Sequence, residues 1–137
     1  MMERIYLDSC VVIYLVERHP LYEPRLRARL ESLREAELAV SPLVRLEVLV
    51  RPLRDGDEAL VQLYRLFLAE QLMLDMPEEV YDAALSLRTQ HTLKTPDALH
   101  LATAQFHNCS QFWTNDDRLA AIAGGLALNI LAVTQSE

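Results

Sequence analysis

Cysteine is scarce in this 137-residue chain, where Cys10 and Cys109 stand alone. Close Cys/His pairing and the cysteine density of a small secreted scaffold are both missing. That excludes a disulfide framework and a zinc site, and makes a reduced, cytoplasmic compartment the expected setting. Both thiols read as buried apolar fillers. No apolar run approaches the roughly 20 residues of a membrane-spanning helix. The N-terminal Met1-Met2-Glu3-Arg4 passes directly into a strand-like segment, so neither a signal peptide nor a membrane contact is expected. Positive charge is lacking as well: 13 Lys and Arg against 20 Asp and Glu give a formal net charge of -7. Such a balance argues against a broad basic surface for nucleic acid. An acidic chain that handles phosphodiesters needs another source of neutralisation, and a bound divalent cation is the usual one.

What is present is an ordinary globular composition, 51% hydrophobic and 24% charged. No repeat, low-complexity stretch or linker divides it, so residues 1–137 are expected to form a single domain. Short apolar segments alternate with helical patterns. Ile5-Tyr6-Leu7 reads as a strand that stops at Asp8-Ser9, and Val11 to Val16 begins a helix. Leu26, Leu30 and Leu33 give an amphipathic helix over Tyr22 to Glu35. Leu38-Ala39-Val40 is a second strand, followed by Ser41 as N-cap and Pro42 at the first helical position, which places Glu47 in the second turn. Pro52 to Gly56 is expected to break that helix. Leu60, Leu63, Tyr64, Phe67 and Leu68 then repeat as one buried stripe. Leu72-Met73-Leu74 is a third strand, and Pro77-Glu78-Glu79 opens a helix that ends near His91. Thr95-Pro96 repeats the cap-then-proline device and puts Asp97 in the first turn. Phe112-Trp113-Thr114 forms a fourth strand ending at Asn115-Asp116, a short helix from Asp117 stops near Gly124-Gly125, and Leu128 to Val133 forms a fifth. Alternation of this kind predicts a three-layer α/β/α domain around a parallel sheet of about five strands, because parallel strands need crossovers.

In open parallel sheets ligands bind beyond the carboxyl ends of the strands, where strand order reverses. Asp8, Glu47, Asp97 and Asp116 all fall at such places. Asp97 and Asp116 also suit plain helix N-termini. Glu47 lies in an apolar helix and Asp8 in an apolar stretch, where a carboxylate is costly without a partner or a cation. Four clustered carboxylates repel one another unless a multivalent cation holds them ionised, and an all-oxygen set suits a hard ion such as Mg2+ or Mn2+. Of the four histidines, His100 lies one turn after Asp97 and is read as bonding to a neighbour; His19, His91 and His107 read as surface residues. Asp117 is the weaker alternative to Asp116. Lys94, Arg45, Arg51 and Arg118 lie near the acids in sequence and carry no assigned role.

Asp8-Ser9 after a strand, Ser41-Pro42 with Glu47, the run Lys94-Thr95-Pro96-Asp97-Ala98-Leu99-His100-Leu101-Ala102-Thr103-Ala104, and Trp113-Thr114-Asn115-Asp116 resemble the PIN-domain ribonucleases of the VapC toxin type over essentially the whole chain. The resemblance implies a PIN-like fold and a metal-dependent endoribonuclease acting on RNA. It assigns Asp8, Glu47, Asp97 and Asp116 to the acidic quartet that holds the metal and carries catalysis, with Ser9 and Thr114 as supporting hydroxyls. It further implies a cognate antitoxin and a homodimer. Cys10 departs from the polar residue often found there. Two other readings stand beside it. One is a catalytically inactive PIN-like module that binds RNA or protein. The other is an aspartyl phosphotransferase with Asp8 as nucleophile, which Cys10 disfavours because that chemistry wants a second Asp at its position.

Overall fold

The structure is a computed structural model that describes residues 2–123 and the backbone of 127–129. Five strands form one parallel sheet, β1 (Glu3–Leu7), β2 (Ala36–Val40), β3 (Leu72–Met73), β4 (Gln111–Thr114) and β5 (Ala127–Asn129), in the order β3-β2-β1-β4-β5. The expected fifth strand is thus present in its first part, and residues 130–133 lie outside the described residues. β1 is central because it is apolar on both faces: Ile5, Tyr6 and Leu7 are all fully buried. It pairs in register with β2 (Ile5 with Leu38) and with β4 (Leu7 with Trp113).

Among the described residues seven helices connect the strands: α1 (Ser9–Val16), α2 (Tyr22–Glu31), α3 (Pro42–Arg54), α4 (Glu58–Ala69), α5 (Glu78–Gln90), α6 (Thr95–Phe106) and α7 (Asp117–Ala123). From β1 to β3 the chain steps one way along the sheet, and from β3 to β5 it steps the other way. Right-handed crossovers therefore place α1–α4 on one face and α5–α7 on the other. The packing agrees, with α1 against α2, α3 and α4, and α5 against α6. Strand order reverses between β1 and β4, which makes their carboxyl ends the natural crevice.

Three boundaries differ from the sequence reading. The second helix stops at Glu31, because Ser32 Oγ donates to the Arg29 carbonyl at 2.6 Å and closes the end. Pro52 does not break α3. It is buried in the last turn, where the lost hydrogen bond is a single one, and the turn comes at Asp55 to Asp57, with Gly56 at φ 69°. Thr95 does not cap α6: Lys94 holds the cap position, and the Thr95 hydroxyl is taken by Arg88 Nη1 at 2.8 Å. The stripe on α4 also splits. Tyr64 and Leu68 are buried, whereas Leu63 is 52% exposed, and Leu66 on the same helix and Leu46, Val50 and Leu53 on α3 are exposed apolar residues as well. Of the two cysteines only Cys109 is buried; Cys10 is half-buried.

Candidate active site

β1 ends at Asp8, which caps α1: its Oδ1 accepts from Ser9 N at 2.8 Å and its backbone carbonyl accepts from Val11 N at 3.0 Å. The cap fixes the carboxylate at the carboxyl end of the central strand. Asp8 N also donates to the Trp113 carbonyl at 3.0 Å, so the β1–β4 ladder sets its height. Asp116 follows β4 and caps α7, accepting from Arg118 N at 2.9 Å and Leu119 N at 3.1 Å. Thr114, buried at the end of β4, ties the two acids together. Its hydroxyl donates to Asp8 Oδ2 at 2.8 Å and accepts from Asp116 N at 3.1 Å.

Glu47 reaches the same place from α3. The Ser41 cap and Pro42 start that helix as the sequence requires, with Ser41 Oγ accepting from Val44 N. Glu47 Oε1 receives Ser9 Oγ at 2.5 Å and His100 Nε2 at 2.7 Å. Burial opposes its ionisation, yet the hydrogen bonds from His100 and Ser9 leave its carboxyl below the ordinary glutamate range. Asp97 enters from the first turn of α6, one turn before His100. It behaves in the opposite way: burial, reinforced by the neighbouring charges of Asp8 and Asp116, raises its carboxyl above the usual aspartate value. Among the described residues no hydrogen bond is made to its carboxylate.

One cleft of about 450 Å³ is lined by Asp8, Ser9, Glu47, Asp97 and Asp116 together with Cys10, Tyr14, His100 and Asn115. All four acids named from the sequence meet there, Ser9 lies in the wall, and Thr114 stands behind Asp8. Asp117, the weaker alternative, is not part of the lining, nor are Lys94, Arg45, Arg51 and Arg118. The wall thus carries four carboxylates and no Lys or Arg. Among the described residues no three of them are already drawn into a ready-made metal cage. The four acids are nevertheless a set that a hard cation fits: oxygen ligands, and a half-buried Asp97 without a hydrogen-bond donor whose pKa is raised by burial and by the like charges beside it. Both oxygens of Asp8 are engaged, by Ser9 N and by Thr114, which ill suits a free nucleophile.

Sequence reasoning passed over several residues of this place. His100 is 1% exposed and bonded on both ring nitrogens, not merely to one neighbour. Tyr6 reads as one residue of an apolar strand, although a phenol in the middle of an aliphatic central strand must find a buried partner, which is the signal the sequence offers. Tyr14 joins the wall through its hydroxyl, which accepts from Asn115 Nδ2 at 3.1 Å. His19 is not a free surface residue either: it stacks on Tyr22 with ring centres 4.5 Å apart and accepts from Leu21 N and Tyr22 N. His107 is half-buried and pairs with Asp75.

Comparison with known proteins agrees with this architecture. The family model for the PIN domain matches residues 5–125. Ribonuclease VapC46 of Mycobacterium tuberculosis is 33% identical over 133 residues, covering 96% of this chain and 98% of that protein. Among solved structures, a toxin-antitoxin complex from Klebsiella pneumoniae aligns with a TM-score of 0.76 at 23% identity, over 92% of this chain and 97% of its own. VapBC2 from Rickettsia felis, bound to a DNA fragment from its promoter, aligns with a TM-score of 0.77 at 19% identity, over 91% and 97%.

Proposed function

The chain belongs to the PIN-domain family, and from that premise we propose that it is a divalent-metal-dependent endoribonuclease, the toxin of a toxin–antitoxin pair. The observation that carries the reading is the convergence of Asp8, Glu47, Asp97 and Asp116 on one cleft at the β1/β4 switch point with no Lys or Arg in its wall. The kinship with a ribonuclease VapC at 33% identity supports the same activity.

In this reading Asp8, Asp97 and Asp116 hold the cation, Mg2+ or Mn2+, and Glu47 shares in it or orients the attacking water. The bound ion supplies the positive charge that the acidic wall lacks, makes water more acidic and stabilises charge on the phosphodiester oxygens. The protein's own groups do the rest. Asp8 and Asp116 are held at the cleft by helix caps and by the Thr114 hydroxyl. Glu47 stays ionised, with both protein donors on Oε1, and offers Oε2 as the acceptor for a water proton. Asp97, whose charge is least favourable in the free protein, gains most from the ion.

The antitoxin is the partner we assign to the exposed apolar residues Leu46, Val50 and Leu53 of α3 and Leu63 and Leu66 of α4; the likeness to toxin–antitoxin complexes supports that partner. A homodimer and a cytoplasmic location complete the proposal. No helix among the described residues is long and apolar enough to cross a membrane.

The test is cleavage of a panel of structured and single-stranded RNAs by the purified protein with Mg2+ or Mn2+, with chelator, and beside Asp97→Asn. Cleavage that requires both the metal and the acid supports the nuclease. Undiminished metal-dependent cleavage by Asp97→Asn overturns the assignment of that residue. Absence of both cleavage and manganese binding would favour the inactive binding module.

A further inference from the structure

Behind Glu47 a line of hydrogen bonds runs entirely inside the protein. Ser41 Oγ and Tyr6 Oη are 2.8 Å apart, Tyr6 Oη and His100 Nδ1 are 2.7 Å apart, and His100 Nε2 lies 2.7 Å from Glu47 Oε1. Ser41 and Tyr6 are fully buried and His100 is 1% exposed. Because Glu47 is a carboxylate and accepts only, His100 Nε2 must carry the proton that is donated to it. In the neutral ring Nδ1 is then an acceptor, so the Tyr6 hydroxyl donates to it and Ser41 donates to Tyr6. Ser41 Oγ in turn accepts from Val44 N, the capped amide of α3. Every donor and acceptor in the line is used once and in one direction, and no buried side-chain polar atom is left over among the described residues. The tautomer follows from the partners and not from visible hydrogens.

The two ends of the line lie on the same helix. Ser41 caps α3 and Glu47 sits in its second turn, while Tyr6 comes from the central strand and His100 from α6. The relay thus clamps the Glu47 side chain of α3 against the two elements that also carry Asp8 and Asp97, β1 and α6. We propose that His100 is a positioning residue: held by Tyr6 and Ser41, it fixes the Glu47 carboxylate in the orientation in which it faces the cation and the attacking water. Resting on the reading of Glu47 as part of the cation site, this assignment adds a distinct claim about what determines the geometry there. Ser9 supplies a second donor to Glu47 Oε1 from the start of α1; His100 lines the same cleft, and its other ring nitrogen is held by the fully buried Tyr6.

The roles of the two ring nitrogens can be separated by substitution. A glutamine amide at position 100 places its nitrogen near the Nε2 position and preserves the donation to Glu47. An asparagine amide reaches only the Nδ1 position, so it keeps the Tyr6 contact and abandons Glu47. Manganese affinity is measured by calorimetry on the metal-free full-length proteins, with melting curves to show that each variant is folded. His100→Gln should stay within about threefold of the parent, whereas His100→Asn should bind manganese roughly ten- to a hundredfold more weakly, the usual loss when a group that orients a metal ligand is removed. A folded His100→Asn that binds manganese like the parent, or a His100→Gln that loses as much as His100→Asn, overturns the proposal.

A second measurement needs no metal. In nitrogen-15 spectra of the free protein the His100 ring should show the Nε2–H tautomer, with a proton shifted far downfield by its bond to a carboxylate. That signal should move or vanish in Glu47→Gln and persist in Asp97→Asn. An Nδ1–H tautomer, or a signal indifferent to Glu47→Gln, overturns the proposal as well. Were the parent itself to bind no manganese, the cation-site reading would fail on that result, and this signal alone would decide the relay.

Discussion

Asp97→Asn should make the metal-free protein more stable while abolishing its response to manganese. The substitution keeps the shape of the side chain and removes a charge that burial and the adjacent Asp8 and Asp116 both disfavour. Two like-charge contacts at a half-exposed site are worth about 1 kcal/mol each at most near water and less after screening, so the net gain is about 1 kcal/mol. For a chain of this length that corresponds to a melting temperature roughly 3–5 °C higher. The sign with pH follows from the raised folded-state pKa. Above it Asp97 is charged in both states and the parent bears the full penalty; as pH falls through it toward the ordinary aspartate value the penalty fades, and the two proteins converge. Manganese inverts the order. At about one hundred times its dissociation constant a ligand bound only to the folded state adds about 2.7 kcal/mol, a gain the parent receives and the variant largely does not. The assay is urea unfolding followed by the fluorescence of Trp113, the single tryptophan, fully buried next to the site strand, in chelator and in manganese across pH 4 to 8. A variant less stable than the parent in chelator at neutral pH, or one stabilised by manganese as the parent is, would refute the argument.

Tyr6→Phe strands the His100 Nδ1 acceptor and frees the buried Ser41 hydroxyl, and should cost about 1–3 kcal/mol in the same unfolding assay. Glu47→Gln should flatten the acid limb of the stability curve in chelator. The lowered Glu47 pKa contributes stability above the ordinary glutamate value that is lost as pH falls through the folded-state value, and the variant has none to lose. Cys10 and Cys109, with thiols pushed by burial up to about 12 and about 11, should resist alkylation by iodoacetamide at pH 8, read by mass spectrometry against the urea-unfolded protein. Leu63→Ser, at an exposed position on α4, should change stability by less than about 0.5 kcal/mol while, on the proposed partnership, weakening capture of a co-expressed antitoxin in a pull-down.

The parallel sheet and the four acids were legible because their signals are local. A strand of three fully buried residues ending at Asp8, the Ser41-Pro42 start and the position of Asp116 after β4 can each be read within a few residues. What escaped was set by tertiary partners. Thr95 carries the residue types of a cap, but Arg88 from α5 competes for its hydroxyl. Pro52 reads as a breaker, yet its place in the last turn reduces its cost to one hydrogen bond. Leu63 fits the helical period of its stripe, but α4 packs only part of that stripe inward. His100 and Tyr6 lie 94 positions apart, and nothing in either neighbourhood announces the other.

The bond from Thr114 to Asp8 joins positions 106 residues apart, and this separation sets a schedule for the protein's own synthesis. A chain emerging from the ribosome carries Asp8 from the outset, but the strand that steadies it and the Asp116 carboxylate beside it are made only in the last quarter. Until β4 adds to β1, the cleft lacks Asn115 and Asp116, and Asp8 lacks the Thr114 hydroxyl. On the proposed function, any fragment that lacks β4 should be inert as a nuclease, and the interval between translation and completion of the sheet is one in which the proposed antitoxin, folded earlier, can already be waiting.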